Sequence, residues 1–337
     1  KLKNNSGLEF EFHSNGGIKR ISSNGIRIGL RDTNPFSMFG TSIFLRERNT
    51  PKKYIMLFGT GSNSVFTFED NCYFAKGKWN GIEYLISLQL HNTDSCWLWS
   101  IELTNGNSSP SNYDIIIIQD VGLKQLSVGP VNEYYVSQYT ERLILDDPQY
   151  GAVVCCRQNM KEPTGNPWLM AACKNGAASA TTDGLYVYGN SYRKTKIPLA
   201  LELDTLPGEC AAESSVIAIQ SIPFDFSSGN NQQISFVFRF LPDHPSATSS
   251  TDLAILPNLF EQFKSKYPTT SNWEKGKHNL FISSEFFPSQ DLSENEINNF
   301  YSSEKQFPDF SNGKLLSFFY GKGKHVVLGE KDILAYR

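Results

Sequence analysis

Alternation between apolar and polar residues over most of the first 240 positions constrains the fold of this chain more than any other feature. Leu8, Phe10 and Phe12 are spaced to share one face of a strand, with acidic residues between them. Further strand-like stretches lie at 65–68, 84–90, 97–103, 113–118, 184–188, 215–220 and 234–240. Asn24-Gly25 predicts a type I′ hairpin, because both central positions must take positive φ. No amphipathic helix intervenes, so the pattern predicts an antiparallel sandwich and disfavours parallel βαβ units.

A helical pattern replaces the alternation after Pro242. Apolar residues recur there at a spacing of three to four, at Leu253, Leu256, Phe260 and Phe263. This spacing predicts a helix near 252–266. Pro257 lies inside the pattern, so the helix either kinks there or begins at that residue.

A second helix is predicted at 293–306 by its N-terminal signals. Ser293 can cap the helix while Glu296 reaches back to it, as in a capping box. Leu292 and Ile297 would complete a hydrophobic staple around that cap. Short strands are expected after this helix, at 314–319 and 325–328. The predicted fold class is therefore mainly β, an antiparallel sandwich followed by a short helical linker segment.

Composition excludes several classes of protein. The 337 residues include 39% hydrophobic residues, which is too many for a disordered chain. The 31 basic and 34 acidic residues give a net charge of −3, so no basic footprint for nucleic acid is present. No apolar run approaches the ~20 residues of a spanning helix, and no leader is visible, so we expect no membrane partner and a cytoplasmic location. The chain begins with Lys1 rather than methionine, and we expect it to be a piece of a longer protein.

The six cysteines do not form a metal-binding or disulfide pattern. No Cys-x-x-Cys motif is present, and no histidine lies at zinc-like spacing from a cysteine pair. We expect buried free thiols. The adjacent Cys155 and Cys156 should face opposite sides of one strand.

Catalytic motifs are scarce. His91 closes a strand, and it is either a sugar-ring acid/base or a histidine bonded to the backbone, which we favour. Asp146 and Asp147 would point to opposite faces of a strand, so we interpret them as turn residues before Pro148. We expect no metal and no bound cofactor.

Aromatic and planar polar residues are the better candidates for binding. Trp97 and Trp99 share one strand face, which suits either a sandwich core or sugar stacking, and we favour the core. The segment 131–169 is rich in amide, guanidinium and phenol groups, which suit a hydroxyl-rich ligand but also suit the backbone of a long loop. Its candidates for substrate or domain contact are Gln138, Tyr139, Arg157, Gln158, Asn159 and Trp168. Trp168 follows Pro167 and a polar turn, so we expect it to be exposed.

This segment also carries a resemblance to a known family. The matching residues are Asn132-Glu133-Tyr134, Ser137-Gln138-Tyr139, Tyr150-Gly151, Arg157-Gln158-Asn159 and Pro167-Trp168-Leu169. They resemble the N-terminal region of glycoside hydrolase family 94 enzymes, in particular 1,2-β-oligoglucan phosphorylases, with cyclic β-1,2-glucan synthases and cellobiose phosphorylases as relatives. The resemblance covers roughly residues 80–245 well, and the order of elements fits through 337.

The resemblance implies an order of parts and a reaction. It implies an N-terminal β-supersandwich over residues 1–245 and a helical linker over 246–337, leading toward an (α/α)6 barrel that these residues cannot build. In that family inorganic phosphate attacks C1 with inversion and releases α-glucose 1-phosphate, and the general acid is an Asp of the barrel. The resemblance therefore implies no catalytic residue in this chain. Its implied partners are a β-1,2-glucan oligosaccharide and the barrel, with a homodimer left open, in a bacterial protein.

Two other functions stay open on the sequence alone. One is a free-standing carbohydrate-binding module, which would bind glucan without any barrel. The other is a supersandwich enzyme such as an aldose epimerase. That enzyme would need a histidine and a carboxylate on one concave sheet, and only His91 is placed even loosely for it.

Overall fold

The computed structural model describes residues 1–34, 39–107, 110–128, 133–210, 214–276, 293–301, 305–311, 313–320 and 324–327. The strands of the first half of the chain are β1 Leu2–Lys3, β2 Glu9–Phe12, β3 Ile18–Ser23, β4 Ile26–Arg27, β5 Ser42–Glu47, β6 Lys53–Phe58, β7 Val65–Glu69, β8 Cys72–Trp79, β9 Ile82–Leu90, β10 Cys96–Asn105, β11 Ser111–Asp120 and β12 Lys124–Gln125. Those of the second half are β13 Thr140–Asp147, β14 Gly151–Gln158, β15 Trp168–Cys173, β16 Ala177–Asp183, β17 Ser215–Ser221, β18 Phe224–Phe226, β19 Asn231–Leu241, β20 Glu274–Lys275, β21 Gln306–Ser311, β22 Lys314–Tyr320 and β23 Lys324–Val327. The described α-helices are α1 Glu133–Gln138, α2 Gly184–Tyr188, α3 Tyr192–Thr195, α4 Leu256–Glu261 and α5 Glu294–Phe300, and 3₁₀ turns span Leu199–Leu201 and Ser250–Ile255.

One large sheet dominates the fold, in the order β20-β7-β8-β9-β10-β19-β15-β14-β16-β17-β11-β5-β6, with β13 added beside β14 and β18 beside β11. Its pairings are antiparallel except between β14 and β16, where Gly151 pairs in parallel with Ala177. This single pairing joins two halves of the sheet. A smaller sheet has the order β1-β2-β3-β4-β12. The predicted mainly β, antiparallel sandwich is confirmed.

The first core holds apolar side chains from both halves of the large sheet and from the small sheet. Trp97 and Trp99 are fully buried in it. Trp97 stacks on Phe238, its cross-strand partner, with ring centroids 5.1 Å apart, and Trp99 packs on Phe58 at 4.5 Å. Such aromatic pairs add about 0.5–1.5 kcal/mol beyond their buried area. The preference for core over sugar stacking at these two tryptophans is confirmed.

A second core lies on the other face of the first half, where α4 covers the strands. Leu256, Leu259 and Phe260 of α4 pack there with side chains of β10, β14, β15 and β19. Cys155 belongs to this second core and Cys156 to the first, so the predicted opposite facing of the two thiols is confirmed. All six cysteines are free. Burial raises the pKa of the Cys156 thiol to about 12, which keeps it protonated and unreactive at neutral pH.

Local signals in the sequence produce the expected turns and caps. Asn24 and Gly25 take φ values of 52° and 77° between β3 and β4, as the hairpin prediction requires. Pro257 does not kink the helix, because α4 begins one residue earlier at Leu256 and Pro257 occupies its first turn. Ser293 donates its N–H to Glu296 at 2.8 Å and its hydroxyl oxygen accepts the Glu296 N–H at 3.3 Å, so the capping box is present. Leu292, the other half of the expected staple, lies outside the described residues.

The prediction of a strand at 184–188 is wrong, since α2 occupies these residues. The Asp183 carboxylate accepts the N–H of Leu185 at 2.7 Å and that of Tyr186 at 3.4 Å. A carboxylate that accepts the first free N–H groups starts a helix, and it outweighs the β-propensity of the tyrosines and the valine that follow.

The chain divides into two compact units, 1–187 with 199–283 and 188–198 with 284–337. The first unit contains the large sheet, the small sheet and both cores. The second contains α5 and a three-stranded sheet of β21, β22 and β23. The expected boundary at residue 245 stays a prediction. Within the described residues, no helix has the length and apolarity needed to cross a membrane.

Candidate functional site

About half of the predicted binding segment is a hairpin of β13 and β14, so the segment is not one long loop. Gln138 ends α1, Tyr139 lies between α1 and the first strand of the hairpin, and both are exposed. The Tyr139 ring packs edge-to-face on Tyr135 at 5.1 Å. These two residues are therefore accessible to a partner, and their role in sugar or domain contact stays a prediction.

The planar groups of the second strand bind the protein's own backbone. The Arg157 guanidinium donates to the carbonyl oxygens of His244 at 2.7 Å and Pro245 at 3.0 Å, and it also donates to the Asn159 side chain. The buried Gln158 amide donates to the Gly122 carbonyl at 3.3 Å and accepts the Met160 N–H. In this conformation the amides and the guanidinium satisfy main-chain groups, which was the other interpretation of this segment.

The expectation that Trp168 is exposed is wrong. It begins β15, is only 2% exposed and belongs to the second core. Its indole N–H donates to the Thr248 hydroxyl at 3.1 Å, and its ring stacks on His244 with centroids 4.9 Å apart. The polar turn before it made Trp168 look like a loop residue, but the strand pairing of Trp168 with Leu241 directs it into the protein.

His91 and Asp147 have structural roles, whereas Asp146, expected in the same turn, is an exposed residue of β13 paired with Ala152. The His91 Nδ1 accepts the Asp94 N–H at 3.0 Å at the end of β9, so the expected backbone contact is confirmed. Asp147 ends β13, and its carboxylate accepts the N–H groups of Gln149 and Tyr150, as expected of a turn.

Polar side chains gather instead on the outer face of the first half of the large sheet. Ser100 of β10 pairs with Ser87 of β9 on one side and with Ser235 of β19 on the other. The three serines thus form one row across three adjacent strands, with side chains on the same face. Their small size leaves a depression in the sheet surface, which we call the serine groove. Its volume is about 130 Å³.

The walls of the serine groove come from the chain around the end of α4. Phe260 and Phe263 provide an aromatic wall, and Leu98 extends it from the floor. Glu102, Lys174 and Lys266 bring charges of both signs to the rim. Glu102 also accepts a hydrogen bond from the Tyr267 hydroxyl, which raises the pKa of that phenol.

Hydrogen bonding inside the serine groove is incomplete. Ser100 accepts from the Gln233 amide at 2.8 Å and from the Ser235 hydroxyl at 3.3 Å. Within the part of the chain that the structure describes, the Ser87 hydroxyl and the Gln89 amide have no hydrogen-bond partner. Gln89 is only 4% exposed and lines the groove. Neither side chain is among the fully enclosed unpartnered groups, so their polar atoms face the open groove, where water or a ligand can satisfy them.

The serine groove was not predicted from the sequence. The signal was present in part, since Ser87 and Ser100 interrupt strands that are otherwise rich in apolar residues. Their alignment with Ser235 depends on a pairing between residues 135 positions apart. That pairing could not be deduced from a single strand's pattern.

The described residues contain no group of three or more His, Cys, Asp or Glu side chains placed to hold a metal ion. The donor groups of the serine groove are hydroxyls, amides and ammonium groups around a single carboxylate. This set suits hydrogen bonding to a polar organic ligand better than it suits cation coordination.

Comparison with known proteins gives a match to one family and a relative that the chain matches over part of its length. A family model described as the SOGP N-terminal domain matches residues 11–238. The chain is 27% identical over 270 residues to a 1,2-β-oligoglucan phosphorylase of Listeria innocua serovar 6a, and the match covers 75% of this chain. The same match covers 23% of that protein, so this chain spans about a quarter of the length of this curated relative.

Two solved structures also match part of this chain. A bacterial glucoamylase complexed with acarbose matches with a TM-score of 0.47 and 8% identity, over 78% of this chain and 35% of that one. A galactose mutarotase related enzyme from Lactobacillus acidophilus matches with a TM-score of 0.38 and 10% identity, over 72% of this chain and 97% of that one.

Proposed function

The chain belongs to the SOGP N-terminal domain family, and on that premise we propose that it is the non-catalytic N-terminal part of an inverting phosphorylase. The proposed enzyme belongs to glycoside hydrolase family 94. It cleaves β-1,2-gluco-oligosaccharides with inorganic phosphate, and α-glucose 1-phosphate is the product. The catalytic barrel and a bacterial, cytoplasmic location belong to the same proposal.

The observation that carries the proposal is the alignment with the Listeria phosphorylase. This chain is similar to it over 270 residues, yet that stretch is less than a quarter of the relative. A chain that corresponds to so small a share of a phosphorylase is better suited to supporting its reaction than to performing it. The family match over residues 11–238 falls on the sandwich and supports the same assignment.

His91 and Glu102, the carboxylate of the serine groove, are too far apart to act together. Glu102 of β10 lies opposite Leu85 of β9. His91 follows Leu85 by six residues, just past the end of β9. At about 3.3 Å per residue, Glu102 and His91 are roughly 20 Å apart, which is too far for an acid/base pair. A carboxylate does lie near His91, that of Asp94 at 3.8 Å, but it belongs to the same turn, where the Asp94 N–H donates to the imidazole.

Phosphorolysis assays test the proposal. We expect the 337-residue chain, incubated with β-1,2-gluco-oligosaccharides and phosphate, to release no glucose 1-phosphate. We expect the protein encoded by the complete gene to release it in a phosphate-dependent manner. Release by the chain alone, free of host enzyme, would overturn the non-catalytic role. A complete protein without phosphate-dependent release would overturn the assignment to a phosphorylase.

A further inference from the structure

We propose that the serine groove binds one neutral sugar ring of a carbohydrate. The groove is built from the sheet itself and from the chain at the end of α4, so its floor is held by strand pairing on both sides. A site on a rigid sheet keeps its donors and acceptors in fixed positions, which lowers the entropy lost when a ligand binds.

The unpartnered groups of the floor identify the chemistry of the ligand. Gln89 offers two N–H donors and one carbonyl acceptor, and Ser87 offers a hydroxyl that can donate or accept. A sugar hydroxyl also donates and accepts, so adjacent hydroxyls of one ring can satisfy both groups at once. An apolar ligand that filled the groove would cut the amide off from water and leave it unpaired, which is costly.

The size of the serine groove limits the ligand to one ring. Its volume of about 130 Å³ is close to that of an engineered cavity of about 150 Å³ that holds benzene. One sugar ring can enter such a depression while the rest of an oligosaccharide continues into solvent. Phe260 and Phe263 form the aromatic wall against which the C–H face of a sugar ring can pack.

The uncharged floor, rather than the rim with its two lysines and one carboxylate, favours a neutral ring over an anion. Glu102 is the only carboxylate among the described lining residues, and it would repel a phosphate at the rim. Lys174 and Lys266 are exposed at the rim, whereas the floor consists of uncharged serine and glutamine groups. The lysines can therefore donate to sugar hydroxyls from outside without requiring a charge on the ligand.

Equilibrium titration of the 337-residue chain tests the site. The first probes are glucose and methyl β-glucoside, which are single rings, and inorganic phosphate alone is titrated in parallel. A β-1,2-gluco-oligosaccharide is the second probe, and only its choice depends on the proposed function. We expect amide chemical shifts to change at Ser87, Gln89 and Ser235 with the sugars and to stay unchanged with phosphate.

Two variants distinguish sugar binding in the serine groove from sugar binding at the β13–β14 hairpin. Gln89→Leu keeps the size of the side chain and removes its amide, so we expect sugar affinity to fall about tenfold with the loss of its hydrogen bonds. Gln138→Leu makes the same chemical change at the competing candidate on the exposed end of α1, so it decides between the two sites: if the sugar binds in the serine groove, the affinity of this variant is unchanged. Melting of both variants by circular dichroism confirms that they are folded before they are titrated.

Each outcome decides the proposal. Weaker sugar binding in Gln89→Leu alone supports it, even if the complete protein proves not to be a phosphorylase. Binding of phosphate instead of sugar overturns it, as does the absence of any sugar binding. Loss of binding in Gln138→Leu alone would also overturn it, because the sugar site would then lie at the β13–β14 hairpin.

Discussion

At the scale of single residues, Trp168 connects a strand of the large sheet to the segment that leads into α4. Its ring lies on His244, and its indole N–H reaches Thr248. We expect Trp168→Ala to lower the free energy of unfolding by about 3–5 kcal/mol, because a buried tryptophan leaves a large cavity. Urea unfolding measures the change.

Trp168→Phe is the matched control for that substitution. It keeps an aromatic ring in the same place and loses mainly the hydrogen bond to Thr248, so we expect a smaller loss than in Trp168→Ala. If Trp168→Ala unfolds at the same urea concentration as the parent chain, the burial of this side chain does not contribute to stability, and a surface role for it returns.

The candidate residues show what the sequence could predict at this scale. The burial of Trp97 and the turn at Asp147 followed from local patterns, and both are confirmed. Arg157 and Gln158 were recognised as a source of planar donors, but their acceptors are carbonyl groups of residues far along the chain. Local patterns do not specify such partners, so the sequence could not decide between ligand and backbone.

At the scale of elements, the junction between β14 and β16 holds the two halves of the large sheet together. Gly151 has a φ of 65°, and a Cβ there would lie 2.2 Å from the Ala177 carbonyl oxygen. Strained positive φ costs about 1–3 kcal/mol, and overpacking costs about another 1–3 kcal/mol. We therefore expect Gly151→Ala to destabilise the chain by about 2–6 kcal/mol in urea unfolding.

Gly208→Ala separates the cost of backbone strain from the cost of overpacking. Gly208 also has positive φ, at 93°, but a Cβ there would meet no atom within 4 Å. Its substitution should cost the backbone strain alone, about 1–3 kcal/mol. Equal losses in the two variants would mean that the contact with Ala177 relaxes freely and that the junction is not a tight one.

The elements themselves were largely predictable because their signals are local. The strand at 97–103, the Asn24-Gly25 hairpin and the cap at Ser293 all depend on residues within a few positions of one another. The error at 184–188 arose where two local signals compete, since a capping aspartate precedes a stretch with high β-propensity.

At the scale of the whole molecule, the two cores share the strands between them. Cys155 and Cys156 are neighbours in β14, yet one lies in the second core and the other in the first. The same holds for Trp97 and Leu98 of β10. A strand whose two faces are both buried cannot lose one core without exposing the backbone that supports the other. The order of strands in the sheet, which creates this arrangement, depends on pairings such as β10 with β19 that alternation alone does not reveal.

We therefore expect damage to the second core to be felt in the first. Leu259 of α4 is fully buried in the second core, and Leu259→Ala should lower the free energy of unfolding by about 2–5 kcal/mol. Tryptophan fluorescence, dominated by buried indoles such as Trp97 and Trp99, and far-ultraviolet circular dichroism should report one coincident transition at lower urea.

Leu199→Ala is the control, because Leu199 is 38% exposed and its truncation should change stability by less than about 1 kcal/mol. Two separate transitions in Leu259→Ala would show that α4 and its core unfold independently of the sandwich.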